Sequence, residues 1–212
     1  MIMQQFLFPV LRTALAIGFS WLLVLPATAA QPRTLLVFGD SISAAYGMSS
    51  EQGWVALLSE RLEASHPDYT VVNASISGET TAGGLRRLPD LLQRYEPEVV
   101  VLELGGNDAL RGYPTRLIRE NLATMSRLSR EAGAKVLLLP MEIPPNYGAR
   151  YTRAFRESFP LVAKATGAHT APFMLEGIAT RDELMQDDGI HPTAAAQQQL
   201  LDNVLPSLLE IL

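Results

Sequence analysis

The sequence predicts an α/β fold, namely a three-layer α/β/α sandwich built around a doubly wound parallel sheet of about five strands. Two observations support this prediction. Short apolar runs of strand length alternate along the chain with segments whose apolar residues recur at helical spacing. Several of the apolar runs also lead directly into loops rich in glycine and polar residues. Such alternation is typical of parallel strands whose connecting helices cover both faces of the sheet.

The predicted strands can be placed in chain order from these apolar runs. The first contains Leu35-Leu36-Val37-Phe38 and ends at Gly39, and the third contains the strongest run, Val99-Val100-Val101-Leu102. The second, fourth and fifth strands are expected at residues 69–73, 135–140 and 168–172, the last with the weakest pattern. For this number of strands we expect the order 2-1-3-4-5, one of the two common doubly wound arrangements.

The predicted helices fill the intervals between these strands. The first begins near Gly53-Trp54, and further helices are expected after residue 80, over residues 115–132, and from Gly148 to about Thr166. A closing helix is expected from about Thr193, with Pro206 breaking or kinking it because proline lacks a backbone N–H.

The first thirty residues have the pattern of a cleaved secretory signal peptide. Arg12 precedes an apolar run over residues 14–25, and Pro26 and four small residues follow. We expect cleavage just before Ala30 or Gln31, and a periplasmic or secreted mature protein. The alternative is an uncleaved anchor, but a membrane span needs about 20 apolar residues, so we expect no stable span after cleavage.

The composition of the chain limits the number of domains, the kinds of partner and the kinds of covalent link that can be expected. The 212 residues carry a formal net charge of −5, and there is no cysteine. Residues 31–212 are long enough for one domain with a substantial core, which we expect to be monomeric. An acidic balance argues against nucleic acid as a partner, and the lack of cysteine excludes disulfides and a lipoprotein-type anchor.

Three predicted strands end in loops that carry candidate functional residues, Ser41, Gly78 and Asn107. In the order 2-1-3-4-5 the first strand lies between the second and the third, where the direction of winding reverses and ligands bind. We therefore expect the three residues to share one crevice. Each also has a structural alternative: Ser41 could cap a helix, Gly78 could be a turn glycine, and Asn107 could form an Asx turn.

A serine nucleophile needs a base, and the chain contains three histidines. His66 is expected at a helix end facing solvent, and His169 at the start of the weak fifth strand, away from the crevice. His191 follows Asp188 by three residues, so one short loop could supply both a base and the carboxylate that orients it. The alternative is a polar turn that merely precedes the last helix.

Acyl transfer also requires donors for an oxyanion. The backbone N–H groups of Ser41 and Gly78 and the side-chain amide of Asn107 are the candidates. No cofactor or metal enters this hypothesis.

At these residues the chain resembles the SGNH, or GDSL-type, hydrolase superfamily. The first family block matches Gly39-Asp40-Ser41, the second Gly78, the third Gly105-Gly106-Asn107-Asp108, and the fifth Asp188-Gly189-Ile190-His191. Residues 73–78, 103–107 and 185–192 are most similar to the multifunctional periplasmic thioesterases, lysophospholipases and arylesterases of Gram-negative bacteria. The resemblance implies a three-layer fold, no metal, and hydrolysis of small-molecule acyl esters and thioesters through an acyl-enzyme.

The expected function is therefore that of a serine hydrolase acting on acyl esters, lysophospholipids, aryl esters and acyl thioesters. Leu110, Tyr113, Ile143 and Tyr147 lie in two apolar loops that could line a groove for the acyl chain, or could simply be packed loops. The resemblance implies that the first of these loops is mobile. Two other functions remain open: an O-acetyl esterase of polysaccharide or cell wall, and a non-catalytic periplasmic ligand-binding protein.

Overall fold

Five parallel strands form the centre of the fold, in the spatial order β2-β1-β3-β4-β5. The strands are β1 (Arg33–Gly39), β2 (Tyr69–Asn73), β3 (Val99–Glu103), β4 (Lys135–Leu138) and β5 (His169–Thr170). The computed structural model describes residues 32–212, so the predicted signal peptide lies outside the described residues. The predicted sheet order is confirmed.

Helices cover both faces of this sheet. They are α1 (Trp54–Ser65), α2 (Thr81–Tyr95), α3 (Gly106–Leu110), α4 (Thr115–Glu131), α5 (Ala149–Arg156), α6 (Ser158–Thr166) and α7 (Gln197–Leu209). Helix α1 packs against α7, while α4 packs against both α2 and α6. The predicted three-layer α/β/α architecture is therefore confirmed. No helix within residues 32–212 is long and apolar enough to cross a bilayer.

The core lies along β1 and β3, which occupy the middle of the sheet. Residues 35–38 of β1 and 99–102 of β3 are fully buried. A parallel strand covered on both faces buries its side chains on both sides, so its sequence is a continuous apolar run rather than an alternating one. This is why the two strongest apolar runs of the sequence are the two central strands.

The register of the strands brings their carboxyl ends to one edge of the sheet. Gly39 is paired with Glu103 of β3, and Val37 is paired with Asn73 of β2. The loops that follow β1, β2 and β3 therefore start side by side. Because β1 lies between β2 and β3, its loop occupies the position where the winding direction reverses.

Several elements differ from the prediction, and one is helix α3 (Gly106–Leu110), which lies where a loop carrying Asn107 was expected. The helix expected from Gly148 to Thr166 is divided into α5 and α6 at Glu157, because Pro160 offers no N–H to the carbonyl of Arg156 and its ring crowds that carbonyl. Strand β5 has only two residues. The last helix continues through Pro206 to Leu209, so the expected break there was wrong.

Candidate active site

Ser41 lies in a tight turn directly after β1. The carbonyl of Asp40 accepts a hydrogen bond from the N–H of Ala44 (3.0 Å), and Oδ1 of Asp40 accepts one from the N–H of Ile42 (3.2 Å). Asp40, rather than Ser41, therefore caps this turn. The cap alternative for Ser41 was wrong, and its hydroxyl is available for another partner.

That partner is His191, which lies 150 residues after Ser41 in the sequence. Nε2 of His191 is 2.8 Å from Oγ of Ser41, and Nδ1 is 2.6 Å from Oδ2 of Asp188. A carboxylate at Nδ1 favours the tautomer that carries its proton there, which leaves Nε2 able to accept the serine proton. The structure thus joins Ser41, His191 and Asp188 in one hydrogen-bonded chain.

The surroundings of Asp188 keep its carboxylate ionised. Partial burial raises its pKa, but this is outweighed by hydrogen bonds from the backbone N–H and ring of His191 and from the backbone N–H of Ile190, which together lower it to about 2. Asp188 is therefore negatively charged at neutral pH. A fixed negative charge beside Nδ1 stabilises the imidazolium that forms when His191 takes a proton.

Tyr46, which was not predicted as a site residue, links the serine turn to the histidine loop. Its ring is 4.4 Å from the ring of His191 between centroids, with an interplanar angle of 38°. Its N–H donates to the carbonyl of Ser41 (3.0 Å), and its carbonyl accepts from the side-chain amide of Gln186 (2.9 Å). An exposed aromatic residue five positions after a candidate nucleophile was the available signal.

Of the three predicted oxyanion donors, Ser41 and Asn107 line the cavity beside the serine turn, while the loop that carries Gly78 is joined to the end of β1 by the hydrogen bond from the N–H of Ile76 to the carbonyl of Gly39 (3.1 Å). Within residues 32–212, the N–H groups of Ser41 and Gly78 donate no hydrogen bond. Gly78 has a φ of +78°, a left-handed conformation that favours glycine, and its carbonyl accepts from Nη2 of Arg111 (3.3 Å). Asn107 donates one amide hydrogen to Oδ2 of Asp40 (3.0 Å), so its second amide hydrogen is available to a ligand.

A pair of buried polar side chains fixes the short helix α3, which carries Asn107. The carboxylate of Asp108 accepts hydrogen bonds from the N–H (2.8 Å) and the hydroxyl (2.7 Å) of Thr81, the first residue of α2. Both residues are buried. The start of α2 is thereby connected to α3, and Asn107 is held at the carboxyl edge of the sheet.

A cavity of about 710 Å³ opens beside the Ser41–His191 pair. Leu110 and Ile143, two of the four predicted substrate-binding residues, line it. Much of the wall, however, consists of residues that were not predicted to bind substrate, including Met141, Phe173, Leu175, Met185 and Ile190. The apolar run Phe173-Met174-Leu175 was the available signal, but no strand or helix pattern surrounded it.

Tyr113 and Tyr147 do not line this cavity, although they were predicted as substrate-binding residues. Both are exposed, and both take part in hydrogen bonds between loops. The hydroxyl of Tyr147 donates to the carbonyl of Leu110 (3.0 Å), and that of Tyr151 donates to the carbonyl of Tyr113 (2.5 Å). These bonds hold the segment before α4 against residues 145–151, and the Tyr147 ring is held outside the cavity by its own bond.

The other two histidines lie away from the site, as expected. His66 is the C-cap of α1. His169 belongs to β5 and lines a small depression with Arg130 and Lys135, at the opposite edge of the sheet. Neither ring contacts Ser41.

Comparison with known proteins is consistent with this geometry. A family model described as "GDSL-like Lipase/Acylhydrolase family" matches residues 37–199. The chain is 54% identical over 190 residues to "Esterase TesA" of Pseudomonas aeruginosa, covering 90% of this chain and 94% of that protein. It is 42% identical over 184 residues to "Thioesterase 1/protease 1/lysophospholipase L1" of Escherichia coli K12, covering 87% of each.

A solved structure resembles the whole described fold. It is the psychrotrophic esterase EstA from Pseudoalteromonas sp., described as inhibited by monoethylphosphonate. The TM-score is 0.81 at 44% sequence identity, covering 84% of this chain and 97% of that one. Because the family model spans most of the chain and the relatives align over nearly all of it, the chain belongs to the GDSL-like lipase/acylhydrolase family, the SGNH hydrolases, and is an enzyme of that class.

Proposed function

We propose that this enzyme hydrolyses acyl esters and thioesters through a covalent acyl-enzyme on Ser41. Oγ of Ser41 attacks the acyl carbonyl carbon while its proton passes to Nε2 of His191. The tetrahedral intermediate collapses when His191 gives that proton to the leaving alcohol or thiol. Water then attacks the acyl-enzyme with His191 as base, which releases the carboxylic acid and restores Ser41.

Asp188 and the three donors complete this mechanism. Asp188 orients the ring of His191 and stabilises its charged form. The N–H groups of Ser41 and Gly78 and the free amide hydrogen of Asn107 hold the oxyanion. The single observation that carries the proposal is the continuous hydrogen-bonded chain from Ser41 through His191 to Asp188. The cavity beside it, which Ser41 and Asn107 line, provides room for a substrate.

The cavity supports a substrate whose acyl group is an apolar chain. It is lined mainly by apolar residues, and no lysine or arginine contributes to its wall. The charged residues of the wall are acidic, Glu142 and Glu176 among them. We therefore place the acyl chain in this cavity and any charged leaving group outside it, which favours lysophospholipids, aryl esters and uncharged esters over polyanionic acyl-CoA. The relatives' names include esterase, thioesterase and lysophospholipase.

A chain-length series tests this substrate assignment. The p-nitrophenyl esters of acetate, octanoate and palmitate share one leaving group, so their kcat/KM values compare acyl chains alone. We expect the octanoyl and palmitoyl esters to exceed the acetyl ester. A preference for the acetyl ester would instead support the O-acetyl esterase function.

A variant that narrows the cavity sharpens this test. Ala179 lines the cavity and is exposed. Ala179→Trp should lower kcat/KM for the long esters and keep kcat/KM for the acetyl ester within about threefold of the parent enzyme. The indole would occupy part of the groove, and the loss of even a methylene-sized contact in an apolar pocket costs ~1–3 kcal/mol of binding. Ala64→Trp, on the exposed side of α1, is the matched control. Equal loss for all three esters would contradict the placement of the chain.

The cellular setting belongs to the same proposal. The predicted signal peptide supports a periplasmic or secreted monomer that acts on small-molecule substrates and binds no nucleic acid. Fractionation of cells expressing the full chain tests the location, and the N-terminal sequence of the exported protein tests cleavage before Ala30 or Gln31. Full-length protein confined to the cytosol would contradict this assignment.

A further inference from the structure

Glu103 is a fully buried acidic residue whose carboxyl group contacts the turn that carries the proposed nucleophile. It is the last residue of β3 and is paired in register with Gly39, the last residue of β1. The proposed mechanism does not use it. Burying a carboxyl group is costly unless it is neutral or its oxygens are fully hydrogen-bonded, so its position at the edge of the sheet needs an explanation.

The contacts of Glu103 lie on both sides of Ser41. Its Oε2 accepts a hydrogen bond from the N–H of Asp40 (3.1 Å) and another from the hydroxyl of Ser43 (2.7 Å). The residues before and after the nucleophile, at positions 40 and 43, are thus anchored to a single oxygen atom. That oxygen belongs to the rigid central strand β3 rather than to a loop.

We propose that Glu103 is a positioning residue that works as a neutral carboxylic acid, holding the turn that carries Ser41 and leaving Asp40 ionised to hold the amide of Asn107. This inference rests on the proposed role of Ser41. In this proposal the proton on Glu103 keeps two parts of the site aligned, namely the nucleophile Ser41 and the oxyanion donor Asn107.

The hydrogen-bond partners of the two carboxyl groups indicate which of them carries the proton. Oε1 of Glu103 is buried and has no hydrogen-bond partner in the described part of the chain. Each oxygen of Asp40, by contrast, accepts a hydrogen bond, Oδ1 from the N–H of Ile42 and Oδ2 from the amide of Asn107. A carboxylate is stabilised by such donors, so the negative charge belongs on Asp40 and the proton on Oε1 of Glu103.

The electrostatic environment agrees with this assignment. Burial, and then the neighbouring Asp40, raise the pKa of Glu103 well above its usual value. Burial also raises the pKa of Asp40, but its donors and the nearby His191 oppose that shift. Two adjacent carboxyl groups in a buried site cannot both ionise without a large repulsion.

The glycine that precedes Asp40 makes this contact possible. A Cβ atom at Gly39 would collide with Oε2 of Glu103 and would lie 2.8 Å from Oγ of Ser43. Only a residue without a side chain lets the acid approach the backbone so closely. The glycine of the Gly39-Asp40-Ser41 motif is therefore explained by the acid beneath it.

Two substitutions at Glu103 show whether this side chain works as a neutral acid or as a carboxylate. In Glu103→Gln the amide oxygen can accept the same two hydrogen bonds, so kcat should stay within about fivefold of the parent enzyme. In Glu103→Ala both bonds are lost, and kcat should fall by about 10²-fold with KM little changed, the cost of a misplacement of ~1 Å. If Glu103 works as an anion, Glu103→Gln should instead lose as much as Glu103→Ala.

A spectroscopic measurement tests the proton directly and does not depend on activity. The parent enzyme at pH 7 should show the infrared carbonyl stretch of a protonated carboxyl group, and Glu103→Gln should lack it. Glu98→Gln is the matched control. Glu98 immediately precedes β3, at the end of the strand opposite to Glu103, and forms an ion pair with Arg33. Replacing its carboxyl group should therefore leave the infrared band and kcat unchanged. Absence of the band in the parent enzyme would overturn the proposal even if Glu103→Ala fails to fold.

The two proposals fail in different ways. If the parent enzyme is not acylated on Ser41, the proposed function is wrong, whatever the infrared band shows. If Ser41 is acylated but Glu103→Ala keeps kcat within fivefold, the positioning role alone is wrong.

Discussion

Nε2 of His191 lies 2.8 Å from the hydroxyl oxygen of Ser41, although the two residues are 150 positions apart in the sequence. The sheet explains how they meet. Ser41 is held at the carboxyl end of a central strand, and the loop containing His191 is tied to the serine turn by Tyr46 and Gln186. The reactive geometry is thus a consequence of the fold rather than of either local sequence.

Replacing the orienting carboxylate should remove most of the rate. In Asp188→Asn the side chain can donate its amide hydrogen to Nδ1, which favours the tautomer with the proton on Nε2, where it cannot accept from Ser41. We expect kcat to fall by about 10⁴-fold, as in serine proteases with this change. Steady-state kinetics on an octanoyl ester measure it. Asp187→Asn, one residue earlier, should keep normal activity, and equal effects of the two changes would contradict the assigned role.

The low pKa of Asp188 also predicts how stability depends on pH. A carboxyl group whose folded-state pKa is about 2, below its unfolded value, stabilises the fold above the unfolded value and loses that contribution as pH falls towards 2. Because this side chain is 39% exposed, solvent screening reduces the contribution to ~1 kcal/mol.

Urea unfolding of the parent enzyme and Asp188→Asn at pH 6 and pH 2.5 tests this linkage. The difference in the free energy of unfolding should be larger at pH 6 and shrink at pH 2.5. A difference that stays constant, or grows as pH falls, would show that Asp188 is not stabilised as an anion by its hydrogen bonds.

Removal of the amide donor should affect the transition state more than substrate binding. Asn107→Ala deletes the hydrogen available to an oxyanion, so we expect kcat to fall by about 10²- to 10³-fold with KM changed much less. Asn146→Ala, in an exposed loop, is the control and should be nearly neutral. A loss confined to KM would assign Asn107 to ground-state binding instead.

Alanine at Gly78 should separate backbone strain from the loss of a donor. Gly78 has a φ of +78°, and an added Cβ would have only Arg111 nearby, at 3.9 Å. Gly133 has a φ of +93° with nothing within 4 Å, at the end of α4. Each alanine should cost ~1–2 kcal/mol of stability because a left-handed conformation strains a side chain.

Only Gly78→Ala should also lower kcat, since relief of the strain turns its N–H away from the oxyanion position. Thermal unfolding and kinetics on both variants make the comparison. If the two variants lose stability equally and neither loses kcat, Gly78 is a turn glycine and not a donor.

Much of the site could be predicted because its residues follow recognisable strands. The apolar runs ending at Gly39 and Glu103 located two of the three loops, and the common sheet order placed them side by side. The wall formed by Phe173 and Leu175 could not be predicted in this way, because that segment has no regular period and its position depends on tertiary packing.

Other features depend on contacts between distant residues. Glu103 at the end of an apolar strand could have been a solvated residue, and only the tertiary structure shows that it is buried against the turn that carries Ser41. Tyr113 and Tyr147 were assigned to the groove from their apolar loops. Both lie outside it, and the hydrogen bond that holds Tyr147 there, to the carbonyl of Leu110, is a contact that sequence patterns do not encode.

Labelling with a fluorophosphonate tests the central claim most directly. Mass spectrometry of the parent enzyme should find one adduct, on the peptide containing Ser41, and Ser41→Ala should show no adduct and a loss of kcat of more than 10³-fold. An adduct on another serine, or a Ser41→Ala variant with a rate within tenfold of the parent enzyme, would contradict the account.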